Sequence, residues 1–161
     1  MKLDHAWIAA HIPHQGSMCL LEEVLSWDLQ RIACRSVSHR AMDNPLRAHG
    51  RLGAACAIEY AAQTVAVHGA LLVCPPASGS GFGMLTSARR VEFAVARLDD
   101  LPHDLLVSAQ RLHSDGLSAL YAFALHDGER LLAQGRLSLL HGAIASMGLG
   151  AARDTPSGSR P

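Results

Sequence analysis

Between Leu52 and Val73 the chain reads LGAACAIEYAAQTVAVHGALLV, a run rich in alanine and leucine, free of proline, with Asn44-Pro45 before it and Pro75-Pro76 after it. That composition predicts one long helix. Its nearly uncharged surface predicts burial on most sides, because a helix that is apolar almost all round has no stable place against water. Glu59 is its only acid and Gln63 follows four residues later, so both project from one side, with Cys56 one turn before. An ionised carboxylate left unpaired there costs roughly several kcal/mol, so Glu59 requires a partner or a task.

Ahead of the helix, Asp4 precedes Trp7, Ile8 and Ile12, which predicts a short capped helix over residues 4–11 that Pro13 ends. His14–Met18 reads as a turn-like loop. Residues 19–38, CLLEEVLSWDLQRIACRSVS, read as a strand or bent strand pair turning near Asp28-Leu29-Gln30; Ile32, Cys34 and Ser36 alternate with Arg31, Arg35 and Val37. Residues 39–50 are polar and turn-rich, a loop feeding the long helix.

After the helix, PPASGSG reads as a flexible connection. Four segments of strand length follow: GMLTSARRVEFAVARL, DLLVSAQRLHS, LSALYAFALH and RLLAQGRLSLL, with turn signals at Leu101-Pro102, Ser114-Asp115-Gly116 and Asp127-Gly128. They read as an antiparallel meander. Residues 142–161 are rich in Gly, Ser and Pro without periodicity, which predicts a disordered tail behind a single domain over 1–141. The expected fold class is α+β, with a curved antiparallel sheet around one central helix. Such a sheet leaves an edge strand open, and pairing with a second chain would cover it, so a dimer is expected.

Composition narrows the function. The 161 residues are 49% hydrophobic, enough for one core, and 14 basic residues balance 14 acidic ones, so no basic footprint points to nucleic acid or to an anionic membrane. Asp4, His5 and Pro13 interrupt the N-terminus before an apolar signal region develops, and a cytoplasmic location is expected. Cys19, Cys34, Cys56 and Cys74 lack ligand spacing, and the ten histidines form no tight metal pattern, so neither a metal nor a cofactor is expected. Cys56 reads as a small core residue rather than a nucleophile.

Two motifs carry a family resemblance. Ile12 to Val24, IPHQGSMCLLEEV, is similar to the opening "PHR…LLDRV" segment of hotdog-fold 3-hydroxyacyl-acyl-carrier-protein dehydratases. Gly53 to Gln63, GAACAIEYAAQ, resembles their "PGVLxxEAxAQ" helix, with the catalytic acid at Glu59 and the amide at Gln63. Ile58 to Gln63 and Ala66 to Leu71 follow "GIEYAAQAMAVHGAL" nearly letter for letter, as in the dehydratase-like subgroup found with aryl polyene and related fatty-acid-type gene clusters. Where the dehydratases carry a histidine fourteen residues before the acid, this chain has Pro45; His49 and His14 are the candidates for that role.

The resemblance implies a hotdog fold and dehydration of 3-hydroxyacyl thioesters on the 4'-phosphopantetheine arm of acyl carrier protein, by a homodimer or a hotdog heterodimer. That reaction removes a proton from C2 and protonates the hydroxyl leaving C3. Glu59 would be the acid, its charged form disfavoured by burial, and His49 or His14 the base. Gln63 would orient Glu59, and backbone amides of Leu52, Gly53 and Ala54 at the helix start would polarise the thioester carbonyl. Two alternatives share the fold: a thioesterase in which Glu59 activates water, and a non-catalytic partner subunit or acyl-chain binder. His68, nine residues after Glu59 and about 180° around the helix, falls outside the same pocket and is expected to be structural.

Overall fold

The computed structural model describes residues 2–73 and 83–140. The predicted tail and the PPASGSG connection lie outside them. A short helix α1 (His5–His11) opens the chain, capped by Asp4, whose side chain accepts from the Trp7 amide. β1 (Glu23–Trp27) and β2 (Arg31–Ser36) form a hairpin across the expected turn, in which Asp28 accepts from the amides of Gln30 and Arg31. The central helix α2 (Ala57–Leu72) follows, and then β3 (Met84–Phe93), β4 (Leu105–Ser114), β5 (Ser118–Asp127) and β6 (Arg130–Leu140).

The six strands make one antiparallel sheet in the order β1-β2-β4-β5-β6-β3, and α2 lies on its inner face against β2, β4 and β5. Burial follows the period-two pattern: Ile32, Cys34 and Ser36 of β2, and Ala119, Tyr121, Phe123 and Leu125 of β5, all point into the core. From α2 the core takes Ala57, Tyr60, Ala61, Thr64, Val65, Val67, His68 and Leu71. The expected hotdog arrangement is therefore present.

Three details differ from the sequence expectation. β4, β5 and β6 form a meander, but β3 pairs with β6 and not with β4. The side chains explain this: β3 is exposed along nearly its whole length and suits an edge, whereas β4 alternates buried positions in its first half and suits the middle. β3 also ends at Phe93, because residues 96–98 turn away to meet the start of the helix segment. There the Ala54 amide donates to the Ala96 carbonyl (3.1 Å), and the Leu98 amide to the Leu52 carbonyl (2.8 Å). That bridge holds Leu52 and Gly53 extended, so α2 begins at Ala57 behind a 3-10 turn, Ala54–Cys56.

Asp99 secures this junction. Only 5% of its side chain is exposed; it accepts from the Leu52 amide (2.9 Å), pairs with Arg97 and lies 3.4 Å from Arg47. The Arg97 guanidinium holds its carboxyl well below the usual aspartate range. Asp104, bonded to Arg40 and Arg35, is held down for the same reason. Burial pushes two histidines down as well: His39, with Arg40 adding to the effect, and His68.

All four groups bind fewer protons folded than unfolded, so acid destabilises the fold in two stages. The melting temperature is expected to begin falling below about pH 6.5, where unfolded histidine protonates, and to fall further below about pH 4, where unfolded aspartate does. Calorimetry across this range checks it; a melting temperature constant from about pH 7 to about pH 5 would contradict the first stage.

Candidate active site

Glu59 sits in the first turn of α2, and 31% of its side chain reaches solvent, so the one acid of the helix lies at a rim rather than in the core. His14 reaches it from the loop after α1. Pro13 follows the helix end, and Gln15 folds back to donate to the Ala9 carbonyl (3.0 Å). The His14 Nε2 then lies 3.0 Å from Glu59 Oε1. His14 Nδ1 is buried and has no hydrogen-bond partner among the described residues.

Gln63, fully buried one turn along, fixes the other side of the same oxygen. Its Oε1 accepts from the Leu20 amide (2.9 Å), and its Nε2 donates to the Met18 carbonyl (2.8 Å) and to Glu59 Oε1 (2.9 Å). The two backbone groups leave no choice about which end of the amide is nitrogen, since the Leu20 N–H needs an acceptor and the Met18 carbonyl needs a donor. Glu59 Oε1 therefore accepts from Gln63 and, in the Nε2–H form of the ring, from His14. Glu59 Oε2 takes no hydrogen bond among the described residues and is the site's free oxygen.

A polar network beneath this trio holds Leu20 in place. Its carbonyl accepts from Ser36 Oγ (2.5 Å) and Ser38 Oγ (2.9 Å); Ser38 Oγ lies 2.8 Å from the Tyr60 hydroxyl, to which Asn44 Nδ2 also donates (3.1 Å). The sequence expectation did not include this network of Ser36, Ser38, Asn44 and Tyr60. The available signal was Tyr60 itself: a tyrosine on the buried face of a helix needs a partner for its hydroxyl.

The other expected residues are distributed differently. His49 is exposed and occupies a two-residue hairpin turn with Gly50, both at positive φ (51° and 72°), closed by reciprocal bonds between Ala48 and Arg51. It makes no bond to Glu59 among the described residues. The amides of Leu52 and Ala54 are already engaged, with Asp99 and Ala96, so they are not free to polarise a carbonyl. Of the three, only the Gly53 amide makes no hydrogen bond among the described residues, and Gly53 is exposed.

Cys56 donates to the Leu46 carbonyl (3.8 Å), and burial pushes its thiol up, which fits a packing role. His68 bridges the Tyr121 hydroxyl (3.0 Å) and the Asp28 carbonyl (2.8 Å), pinning the helix to the sheet and to the β1–β2 turn, away from Glu59.

A Cβ added at Gly53 would meet nothing within 4 Å. Gly53→Ala is therefore expected to leave the melting temperature unchanged. Any change in KM or kcat in that variant then measures how closely substrate approaches the Gly53 amide; unchanged kinetics would remove Gly53 from the site.

Comparison with solved structures gives the same architecture. One chain of the dehydratase heterocomplex ApeI:P from Xenorhabdus doucetiae superposes with a TM-score of 0.76 at 22% identity, over 88% of this chain and 97% of that one. Zebrafish thioesterase superfamily member 2 follows the fold with a TM-score of 0.59 at 18% identity, over 85% and 94% of the two chains. A mutant thioesterase from Pseudomonas aeruginosa does so at 0.58 and 11% identity, over 86% and 94%. At these identities the likenesses establish the fold, which is hotdog. No curated protein matches the sequence. Residues 6–147, carrying His14, Glu59 and Gln63, match the family described as ApeP-like, ApeP dehydratase. The chain belongs to the ApeP-like dehydratase family.

Proposed function

We propose that this chain contributes Glu59 to the dehydration of 3-hydroxyacyl thioesters carried by acyl carrier protein, in fatty-acid-type or aryl polyene synthesis. The observation that carries the reading is the asymmetry at Glu59: Oε1 is held by His14 and Gln63, while Oε2 has no partner among the described residues. A proton-transfer group wants that arrangement, one oxygen fixed and one available. In the reaction the C2–H bond breaks, its electron pair forms the C2=C3 double bond, and the C3–O bond breaks as the hydroxyl leaves, protonated, as water. Glu59 Oε2 delivers the proton to that hydroxyl.

His14 acts here as a positioning residue, since one ring nitrogen faces Glu59 and the other is buried. The base at C2 then comes from elsewhere. A hotdog partner supplying it is supported by the likeness to a chain of a dehydratase heterocomplex, so the proposed active unit is an oligomer in which the second proton-handling group crosses the interface.

The test is to incubate the purified chain, alone and with a hotdog dehydratase subunit, with a 3-hydroxyacyl thioester on carrier protein. Enoyl thioester formed in the mixture, and lost when Glu59 is replaced, is the expected result. Release of free thiol would mark a thioesterase instead. Turnover that needs the chain but is indifferent to Glu59 would make it a non-catalytic partner.

A further inference from the structure

Both supports of Glu59 Oε1 hang on one short stretch of chain. His14 belongs to it, and Gln63 is clamped by two of its backbone groups, the Leu20 amide (2.9 Å) and the Met18 carbonyl (2.8 Å). Gln63 is fully buried and its Nε2 is spent on the Met18 carbonyl and Glu59, so its position follows that of residues 18–20. Those residues need an anchor of their own. Residues 19–22 belong to no helix or strand, and the next backbone tie to β2, the Glu22 amide on the Arg35 carbonyl (2.8 Å), lies two residues beyond Leu20.

The anchor is a pair of serines. A carbonyl oxygen has two lone pairs, and on Leu20 both are taken, by Ser36 Oγ (2.5 Å) and Ser38 Oγ (2.9 Å). Ser36 is the buried last residue of β2 and is held by the sheet; Ser38 opens the 3-10 turn that follows. A further layer directs Ser38. Asn44 Oδ1 accepts from the Leu46 amide (2.9 Å), so Asn44 Nδ2 faces the Ser38 carbonyl (2.8 Å) and the Tyr60 hydroxyl oxygen (3.1 Å). Tyr60, having accepted there, donates to Ser38 Oγ (2.8 Å). Ser38 then donates to the nearer of its remaining acceptors, Leu20 at 2.9 Å against 3.1 Å for Ser36 Oγ.

Apolar side chains of similar size would fill this space without needing partners. What the hydroxyls add is a fixed place for one carbonyl and, through the same residue, for the amide that holds Gln63. A reacting group kept within about 0.5 Å of its productive position needs neighbours that are themselves locked.

We propose that Ser36 and Ser38 are a redundant pair of positioning residues for Glu59, acting through the Leu20 backbone and the Gln63 amide, with Tyr60 and Asn44 setting the direction of the Ser38 hydroxyl. This rests on the reading of Glu59 above and adds to it the residues that aim the carboxyl. Either serine alone leaves one donor on the carbonyl. Loss of both leaves a buried acceptor bare, so the double variant is expected to exceed the sum of the singles.

The experiment uses the full chain labelled with nitrogen-15 at glutamine, read through the two Nε2 proton signals of Gln63. Ser36→Ala and Ser38→Ala each leave these signals near their wild-type positions. Ser36→Ala/Ser38→Ala moves them toward the values of a glutamine in water, and Ser36→Ala/Ser38→Thr, which restores one hydroxyl, returns them. Ser36→Ala/Tyr60→Phe keeps the Ser38 hydroxyl but loses its alignment, and moves them by more than its two single changes together; it guards against misfolding of the double alanine. In the mixed-subunit assay above, kcat of the double alanine falls about ten- to a hundredfold, with KM within about twofold of wild type.

Gln63 signals unmoved in a folded double alanine variant overturn the proposal, as do effects that merely add or a threonine that restores nothing. A loss carried by KM with kcat intact overturns it too, assigning the serines to substrate binding. The signals need no turnover: if Glu59→Gln keeps full activity while they follow the expected pattern, the functional reading fails and the positioning stands. Unmoved signals beside a Glu59 that turnover requires sink the positioning alone.

Discussion

Glu59→Gln is expected to lower kcat by about a hundred- to ten-thousandfold, the range for loss of a positioned proton donor or acceptor, with little change in melting temperature. The separation of the two effects follows from the geometry. The glutamine carbonyl can still accept from Gln63 Nε2, so the scaffold of the site survives, but the free position no longer carries an exchangeable carboxyl proton. Steady-state kinetics beside a thermal melt decides it, and turnover equal to wild type would remove Glu59 from the chemistry. On the proposed reading of His14 as a positioning residue, His14→Ala should cost less than Glu59→Gln and appear mainly in kcat, because it removes one support of Oε1.

The second large effect is on stability. Gln63→Leu keeps the volume of a fully buried side chain but leaves the Leu20 amide without an acceptor and removes a donor from the Met18 carbonyl. Each buried group left unpaired costs about 1–3 kcal/mol, so a loss of about 2–5 kcal/mol is expected, visible as a lower denaturant midpoint with an unchanged slope. Activity should fall as well, since Glu59 Oε1 loses its second support. A stability loss below about 1 kcal/mol would mean that water replaces both bonds and that Gln63 is not the clamp described.

The parts of this molecule that local pattern determines were legible in the sequence. The alanine-rich run gave α2, the i, i+4 spacing gave Glu59 and Gln63 on one side, and the nine-residue offset put His68 on the other. The hairpin turn at Asp28 and the alternation in β2 and β5 were equally local. What sequence could not give is which distant segment meets which. β3 against β6, and residues 96–98 against Leu52, are pairings between segments far apart in the chain.

The same limit explains the histidines. His49 stood closer to Glu59 in sequence, but His49-Gly50 is the pair that turns a hairpin, whereas His14 arrives across the fold. Asp99, which fixes the start of the helix segment, drew no expectation from the sequence, because its partners Leu52 and Arg47 lie far back in the chain.

Leu20 offers a way to observe the site without a reaction. Its amide belongs to no helix or strand, and in an ordinary loop such a proton would exchange with solvent at once; here it is bonded to a helix side chain, and the carbonyl of the same residue is tied to the sheet through Ser36. Its deuterium uptake therefore reports one event, the parting of α2 from the loop that carries His14. A ligand that engages Glu59 and draws on Gln63 would change that single rate, so the binding step becomes measurable even in a variant that cannot turn over.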